Sequence, residues 1–182
     1  TGVIGRFLPM DKIEAGIPRA VTTLASSPAA FALAAQSIMT TDTVPKQVTR
    51  SAELRGSKGT ATVRISGACK GAAMIAPNMA TMLCAIMTDA ELTSTDADAV
   101  LRASVNQSFN CISVEGHTST SDSVILLANG AAGTGPLDAE SRTRFQSLLD
   151  EVCSELATAI IRDAEGATHF ITIDVVGARS RE

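Results

Sequence analysis

The 182-residue sequence has no tryptophan and no tyrosine, and its five phenylalanines bring the aromatic content to only 3%. The core must therefore consist of aliphatic and small side chains, and binding that relies on stacking against aromatic rings is disfavoured. Basic residues do not cluster, and 15 Lys and Arg against 19 Asp and Glu give a net charge of −4. We expect no nucleic-acid partner, because phosphate binding needs a basic surface.

Long hydrophobic runs are missing as well. No uninterrupted apolar stretch approaches the roughly 20 residues that a membrane-spanning helix needs, and no signal-peptide pattern opens the sequence. We therefore expect no membrane partner and predict a cytoplasmic location for the protein.

Closely spaced cysteines and histidines are also missing. The four cysteines lie far apart, with no C-x-x-C pair and no histidine at ligand spacing, so we expect reduced and mostly buried thiols. The two histidines, His117 and His169, have no evident carboxylate partner in the sequence. We therefore predict no metal site, no bound cofactor and no Ser-His-Asp triad.

What the sequence does contain is a series of helix and strand patterns without β-α-β regularity. Helices are predicted over 29–39 after a Ser27 N-cap, from a Thr95 N-cap to about 108, and over 139–162, where apolar residues recur at helical spacing. Strands are predicted over 47–54, 60–66, 82–87, 123–128 and 168–175. The first two form a hairpin, and those at 82–87 and 123–128 are interpreted as buried. This order favours an α+β fold, with a sheet packed against a sheet or a helix.

The most unusual stretch is 70–83, which joins two strand-like segments yet carries Lys70, a Pro-Asn turn and Thr81. A hydroxyl at the start of a rigid buried strand, with a lysine close in sequence, is a candidate activated nucleophile. The alternative is that Thr81 is simply a residue that favours strands.

Distinctive blocks run along the whole length of the sequence. They are TGVIG at 1–5, LPMD at 8–11, MTTD at 39–42, KG at 70–71, MIAPNMATML at 74–83, SFN at 108–110, TST at 118–120, LANGA at 127–131, RD at 162–163 and EGAT at 165–168. As an ordered set, these blocks resemble the ornithine acetyltransferase family of arginine biosynthesis.

The resemblance implies a self-processing scaffold of the N-terminal-nucleophile type, with stacked β-sheets and flanking helices. Residues 1–182 would be a single-domain segment of a longer precursor that is cut between Ala80 and Thr81. Residues 1–80 would then end an α chain and residues 81–182 would start a β chain, and the two chains would assemble as a heterotetramer. Polar residues that close the substrate site in the family would lie beyond Glu182.

The resemblance also implies a glutamate N-acetyltransferase. Thr81 would accept the acetyl group of N2-acetylornithine and pass it to glutamate in a ping-pong reaction. Its new α-amine, which titrates near pH 8, could take the proton of its own hydroxyl. Thr1 and Gly2 would form the oxyanion hole. Acetyl-CoA as a second acetyl donor is left open.

Thr40, Lys70 and Glu165, together with Thr81, match substrate-binding positions of the family. Lys70 suits a substrate carboxylate, and Glu165 suits the ammonium group of ornithine. Each residue also has a purely structural interpretation, as a helix-end hydroxyl, a solvated turn charge and a helix-end carboxylate respectively. The chain departs from the family pattern at Glu115 and His117, where the family usually carries Asp, and at Ala164 and His169.

Two other functions stay open. Aminopeptidases and amidohydrolases with a similar self-cleaving scaffold use the same kind of nucleophile but deliver the acyl group to water. A non-catalytic fragment that keeps the scaffold without activity is the third possibility. The MIAPNMAT motif at 74–81 favours the acetyltransferase.

Overall fold

The computed structural model describes residues 7–75, 82–117, 119 and 121–177. These residues form, in chain order, α1 (Met10–Val21), α2 (Pro28–Ser37), β1 (Lys46–Gly56), β2 (Gly59–Lys70), β3 (Leu83–Thr88), α3 (Ser94–Asn106), a 3-10 turn (Phe109–Cys111), β4 (Ser123–Ala128) and α4 (Ala139–Arg162). The α+β class is confirmed.

The four strands form one mixed sheet in the order β1-β2-β3-β4. β1 and β2 are the predicted antiparallel hairpin, and Gly56 pairs with Gly59 beside its two-residue turn. β2 and β3 are also antiparallel, whereas β3 and β4 are parallel. The parallel pair requires a crossover connection, and α3 lies within it.

Helix α4 covers one face of the sheet and has the predicted bounds. The Asp138 carboxylate caps its first turn by accepting the Ser141 N–H at 2.9 Å. Its buried stripe packs against β1 and β2; the stripe includes Phe145, Leu148, Leu149, Val152, Leu156 and Ile160. Gly67 of β2 allows this close approach, because a Cβ there would lie 2.8 Å from Leu156 Cδ1.

The layer packed on the sheet is therefore helical in the part of the chain that the structure describes. A second sheet stacked on the first is not among the described residues. The opposite face of β3 and β4 carries exposed apolar side chains at Met87, Ile125 and Leu127. The prediction that these two strands are buried throughout was wrong, because only alternate side chains point toward the core.

Two other sequence predictions need correction, and one helix was missed. Residues 168–175 were predicted as a strand, but they form no strand, and Ile171, Ile173 and Val175 are exposed. The N-cap of α3 is Thr93 rather than Thr95, since the Thr93 hydroxyl accepts the Asp96 N–H at 3.1 Å. Helix α1 was not predicted, because Gly16 and Pro18 interrupt its helical pattern.

The cysteine prediction is confirmed. Cys69, Cys84 and Cys153 are buried free thiols, and Cys111 is an exposed free thiol. Burial is the main cause that raises the pKa of Cys69 and Cys153 to about 12, so these thiols stay protonated at neutral pH. Of the helices described above, none is both long and apolar enough to cross a membrane.

Candidate active site

Lys70 is the last residue of β2, four residues beyond the predicted end of that strand. Only 7% of the residue is exposed. The interpretation of Lys70 as a solvated turn charge is therefore wrong.

Asp42 links the chain next to Lys70 to Thr40, the second candidate binding residue. Its Oδ1 accepts the N–H of Gly71, the neighbour of Lys70, at 2.7 Å, and its Oδ2 accepts the Thr40 N–H at 3.1 Å. The Thr40 side chain remains exposed. One carboxylate thus holds the loop after α2 against the end of β2.

Glu165, the third candidate, lies in the turn after α4 and is exposed. Its backbone N–H donates to the Ala72 carbonyl oxygen at 2.7 Å. The structure therefore brings Thr40, Lys70 and Glu165 to the same end of the sheet, although they come from three separate parts of the chain.

A buried ion cluster lies beneath these residues and consists of Asp42, Lys46 and Asp163. Lys46 Nζ lies 2.7 Å from Asp42 Oδ1 and 2.5 Å from Asp163 Oδ2, and the three side chains are between 0% and 6% exposed. Asp163 also accepts the N–H of Thr43 at 3.0 Å and the hydroxyl of the same residue. We call this group the Asp42–Lys46–Asp163 cluster.

The cluster keeps both of its carboxyl groups ionised. Burial by itself raises the pKa of each, but the N–H donors and the Lys46 ammonium outweigh burial. For Asp42 the strongest opposing contribution comes from the Gly71 N–H, and for Asp163 it comes from Lys46. Both pKa values therefore lie below the usual range for aspartate.

The predicted catalytic residues Thr1, Gly2 and Thr81, and the predicted scissile residue Ala80, lie outside the described residues.

The residues described on either side of the predicted cleavage position are Ile75 and Met82. The Ile75 carbonyl accepts the Val114 N–H at 2.7 Å. The Met82 N–H donates to Asp122 Oδ1 at 2.6 Å, and the Met82 carbonyl accepts the Ser123 N–H at 3.0 Å. Residues 114–123, which lead into β4, thus hold both flanks.

Two carboxylates near these flanks interact with the same segment. Burial raises the pKa of Asp122, while the Met82 N–H and the positive charge of Lys70 oppose that rise. Glu115 accepts the N–H of Met74, which has a left-handed φ of +53°. Glu115, which departs from the family pattern, therefore contacts the chain shortly before the predicted cleavage position.

A cavity of about 350 Å³ adjoins the same flanks. Its lining includes Ile75, Met82, Leu101, Val105, Phe109 and Asp122. Thr40, Lys70 and Glu165 do not line it. In the described ranges, no group of three or more His, Cys, Asp or Glu side chains is arranged to hold a metal ion.

Comparison with known proteins identifies the family. A family model described as the ArgJ family matches residues 1–182. The chain belongs to the ArgJ family. The family predicted from the sequence blocks is therefore confirmed.

Curated ArgJ relatives match the chain over its full length. A relative from Sordaria macrospora, named "Arginine biosynthesis bifunctional protein ArgJ, mitochondrial", is 50% identical over 184 residues, which cover 100% of this chain and 39% of that protein. A similarly named relative from Neurospora crassa is 49% identical, with the same coverage. A bacterial relative from Methylococcus capsulatus, "Arginine biosynthesis bifunctional protein ArgJ", is 46% identical and is covered over 44% of its length. The chain thus spans about two fifths of the length of these relatives.

Sequence reasoning assigned no role to the ion cluster of this ArgJ chain. Asp42 and Asp163 lie in the MTTD and RD blocks, so a signal for them was present. Lys46 is an isolated lysine after Pro45, and no local pattern distinguishes it from a surface residue. Its partner Asp163 is 117 positions away, so only the fold shows the pairing.

Proposed function

We propose that this chain is part of a glutamate N-acetyltransferase of arginine biosynthesis, which moves an acetyl group from N2-acetylornithine to glutamate. The observation that carries the proposal is the meeting of Thr40, Lys70 and Glu165 at one end of the sheet. A hydroxyl, a cation and a carboxylate are the groups that recognise a zwitterionic amino acid. Membership in the ArgJ family supports the same conclusion, since its relatives are named for arginine biosynthesis.

The proposed reaction has two halves. The Thr81 hydroxyl oxygen attacks the acetyl carbonyl carbon of N2-acetylornithine, the C–N bond breaks, and ornithine leaves with the hydroxyl proton relayed by the α-amine of Thr81. The amine of glutamate then attacks the acetyl ester, which restores the hydroxyl and releases N-acetylglutamate. Thr1 and Gly2 donate hydrogen bonds to the negative oxygen that forms in each half.

In this proposal Lys70 binds the carboxylate of the amino-acid substrate and Glu165 binds the ammonium of ornithine. Thr40 contributes its exposed hydroxyl. No resident cofactor takes part. The relatives' names include the word bifunctional, and this supports a second activity, for which we propose the synthesis of N-acetylglutamate from acetyl-CoA and glutamate.

The compartment stays a prediction. The fungal relatives are named as mitochondrial proteins, while the name of the bacterial relative gives no compartment. We propose a cytoplasmic location for this protein, as predicted from the sequence. Fractionation of the source cells, with antibody detection of the processed chains, would test it.

The test of the function is an assay of the purified full-length protein with N2-acetylornithine and glutamate. We expect ornithine and N-acetylglutamate in equal amounts, with the parallel double-reciprocal plots of a ping-pong reaction. A parallel reaction with acetyl-CoA and glutamate tests the second donor. Release of free acetate or cleavage of peptides would favour the self-cleaving hydrolase instead, and the absence of any product would favour the non-catalytic fragment.

Cleavage between Ala80 and Thr81 is expected to leave the two chains bound to each other. β2 would belong to the first chain and β3 to the second, yet they pair over six residues each, from Ile65↔Thr88 to Lys70↔Leu83. Helix α4 of the second chain also packs on β1 and β2 of the first. Both chains should therefore elute together in native size-exclusion chromatography and separate only in denaturant.

The same experiment measures assembly. Light scattering on the eluted peak gives its mass, and we propose a heterotetramer of two α and two β chains. Separate elution of the two chains in native buffer would contradict the shared sheet.

A further inference from the structure

The three candidate binding residues share one feature beyond their proximity. Each lies within two residues of a contact made by the Asp42–Lys46–Asp163 cluster. Asp42 accepts the N–H of Thr40 itself and the N–H of Gly71, next to Lys70. Asp163 lies two residues before Glu165. The cluster therefore touches the chain segments of all three binding residues, while its own side chains are buried.

We propose that the Asp42–Lys46–Asp163 cluster is a positioning device that sets the relative placement of Thr40, Lys70 and Glu165, so that substrate affinity depends on it. This inference rests on the proposed function, because it takes those three residues as the amino-acid binding site. Asp42, Lys46 and Asp163 are positioning residues in this scheme and do not touch the substrate.

The location of Asp163 indicates that the cluster does more than stabilise α4. Asp163 is the C-cap residue of that helix, where the helix dipole disfavours a negative charge. An isolated carboxylate there would weaken the helix end. Lys46 supplies the compensating charge at 2.5 Å, and buried ion pairs of this kind give little net stability compared with apolar packing. The arrangement is therefore better explained by what it orients.

The sheet provides the rigid reference for this arrangement. Lys46 is the first residue of β1 and pairs with Cys69, directly before Lys70. Gly71 has a φ of +154°, which favours glycine, and in this conformation its N–H reaches Asp42. Movement of Asp163 relative to Lys46 would thus shift the turn that carries Glu165 relative to the end of β2, where Lys70 lies.

The test compares two Asp-to-Asn variants at opposite ends of α4 in the full-length protein. Asp163→Asn removes one charge from the cluster, and Lys46 keeps its partner Asp42. Asp138→Asn is the matched control, because Asp138 also accepts a backbone N–H and binds a cation, Arg55 at 2.6 Å. The 24-residue helix separates the two sites by about 36 Å, at a rise of about 1.5 Å per residue.

We expect Asp163→Asn to raise the KM for N2-acetylornithine by roughly tenfold, the lower end of the effect of losing an orienting partner at metal sites. Its kcat should change much less, which identifies a loss of binding rather than of chemistry. Asp138→Asn should lower the melting temperature without a comparable rise in KM. Equal KM values in the two variants would overturn the proposal.

Amide hydrogen exchange gives a measurement that does not depend on activity. In Asp163→Asn, peptides that cover residues 39–46 and 69–73 should exchange faster than in wild type, and Asp138→Asn should leave them unchanged. If wild-type protein transfers no acetyl group, the proposed function fails, and exchange alone then decides whether the cluster couples these segments. Unchanged exchange in both peptides would overturn the coupling.

Discussion

Replacement of Thr81 by alanine is expected to leave the full-length protein as one uncut chain and to reduce acetyl transfer below detection. The variant has no hydroxyl to attack the peptide bond before it or the acetyl group of the substrate. Without cleavage there is also no free α-amine, the group that titrates near pH 8 and serves as the base. A denaturing gel with intact-mass analysis checks the cleavage, and the acetyl-transfer assay checks the chemistry.

Thr81→Ser is the matched control, because it keeps a hydroxyl at the same position. We expect it to cleave and to transfer acetyl groups, both more slowly than wild type. Neither change should disturb Met82, whose N–H and carbonyl are held by Asp122 and Ser123. Cleavage of Thr81→Ala at wild-type rate would exclude Thr81 as the nucleophile of processing, and wild-type transfer would exclude it as the acetyl acceptor.

The elements that could be predicted from sequence are those whose signals are local. Helix α4 was predicted over about 139–162, the range that the structure gives it, because apolar residues recur at helical spacing from Phe145 to Ile160. The β1–β2 hairpin was predicted because turn residues separate two alternating segments. Such signals need no knowledge of distant parts of the chain.

The failures have a physical cause in common, which is the dependence of structure on a partner. Residues 168–175 alternate as well as any strand in the sequence, yet a strand exists only where another strand accepts its hydrogen bonds. In the described parts of the chain no strand pairs with them. The apolar runs of β3 and β4 likewise do not predict whether one or both faces of the sheet are covered, because this depends on the layers packed against the two strands.

The candidate site divides in the same way. Thr40, Lys70 and Glu165 could be selected through the resemblance, since each lies in a recognisable block. Their meeting at one end of the sheet could not be predicted, because it depends on Asp42 and on the packing of α4. Lys46 is the clearest example of a residue whose role could not be predicted. A single lysine has no local pattern, and its ion pairs form only because the fold brings two carboxylates to it.

Replacement of Lys46 by methionine, an unbranched side chain that is one atom shorter and carries no charge, should destabilise the folded protein by about 3–5 kcal/mol at pH 7. Asp42 and Asp163 would then be buried without the cation that lies between them. Lys58→Met is the control, because Lys58 is 65% exposed and lies 3.4 Å from an exposed Glu91. That pair should contribute no more than about 1 kcal/mol. Urea denaturation of the full-length proteins measures both free energies of unfolding.

The pH dependence separates the loss of charge compensation from a simple loss of packing. In wild type, both carboxyl pKa values lie below their unfolded values, so their contribution to stability is present above about pH 4 and is lost as the pH falls through the folded pKa values. In Lys46→Met, burial is opposed only by the N–H and hydroxyl donors, and we expect folded pKa values above the unfolded ones. Protonation of Asp42 and Asp163 as the pH falls then removes the uncompensated buried charge of the variant. Its stability deficit against wild type should therefore shrink from pH 7 toward pH 4, whereas a deficit that is the same at both pH values would show that Lys46 acts through its packing alone.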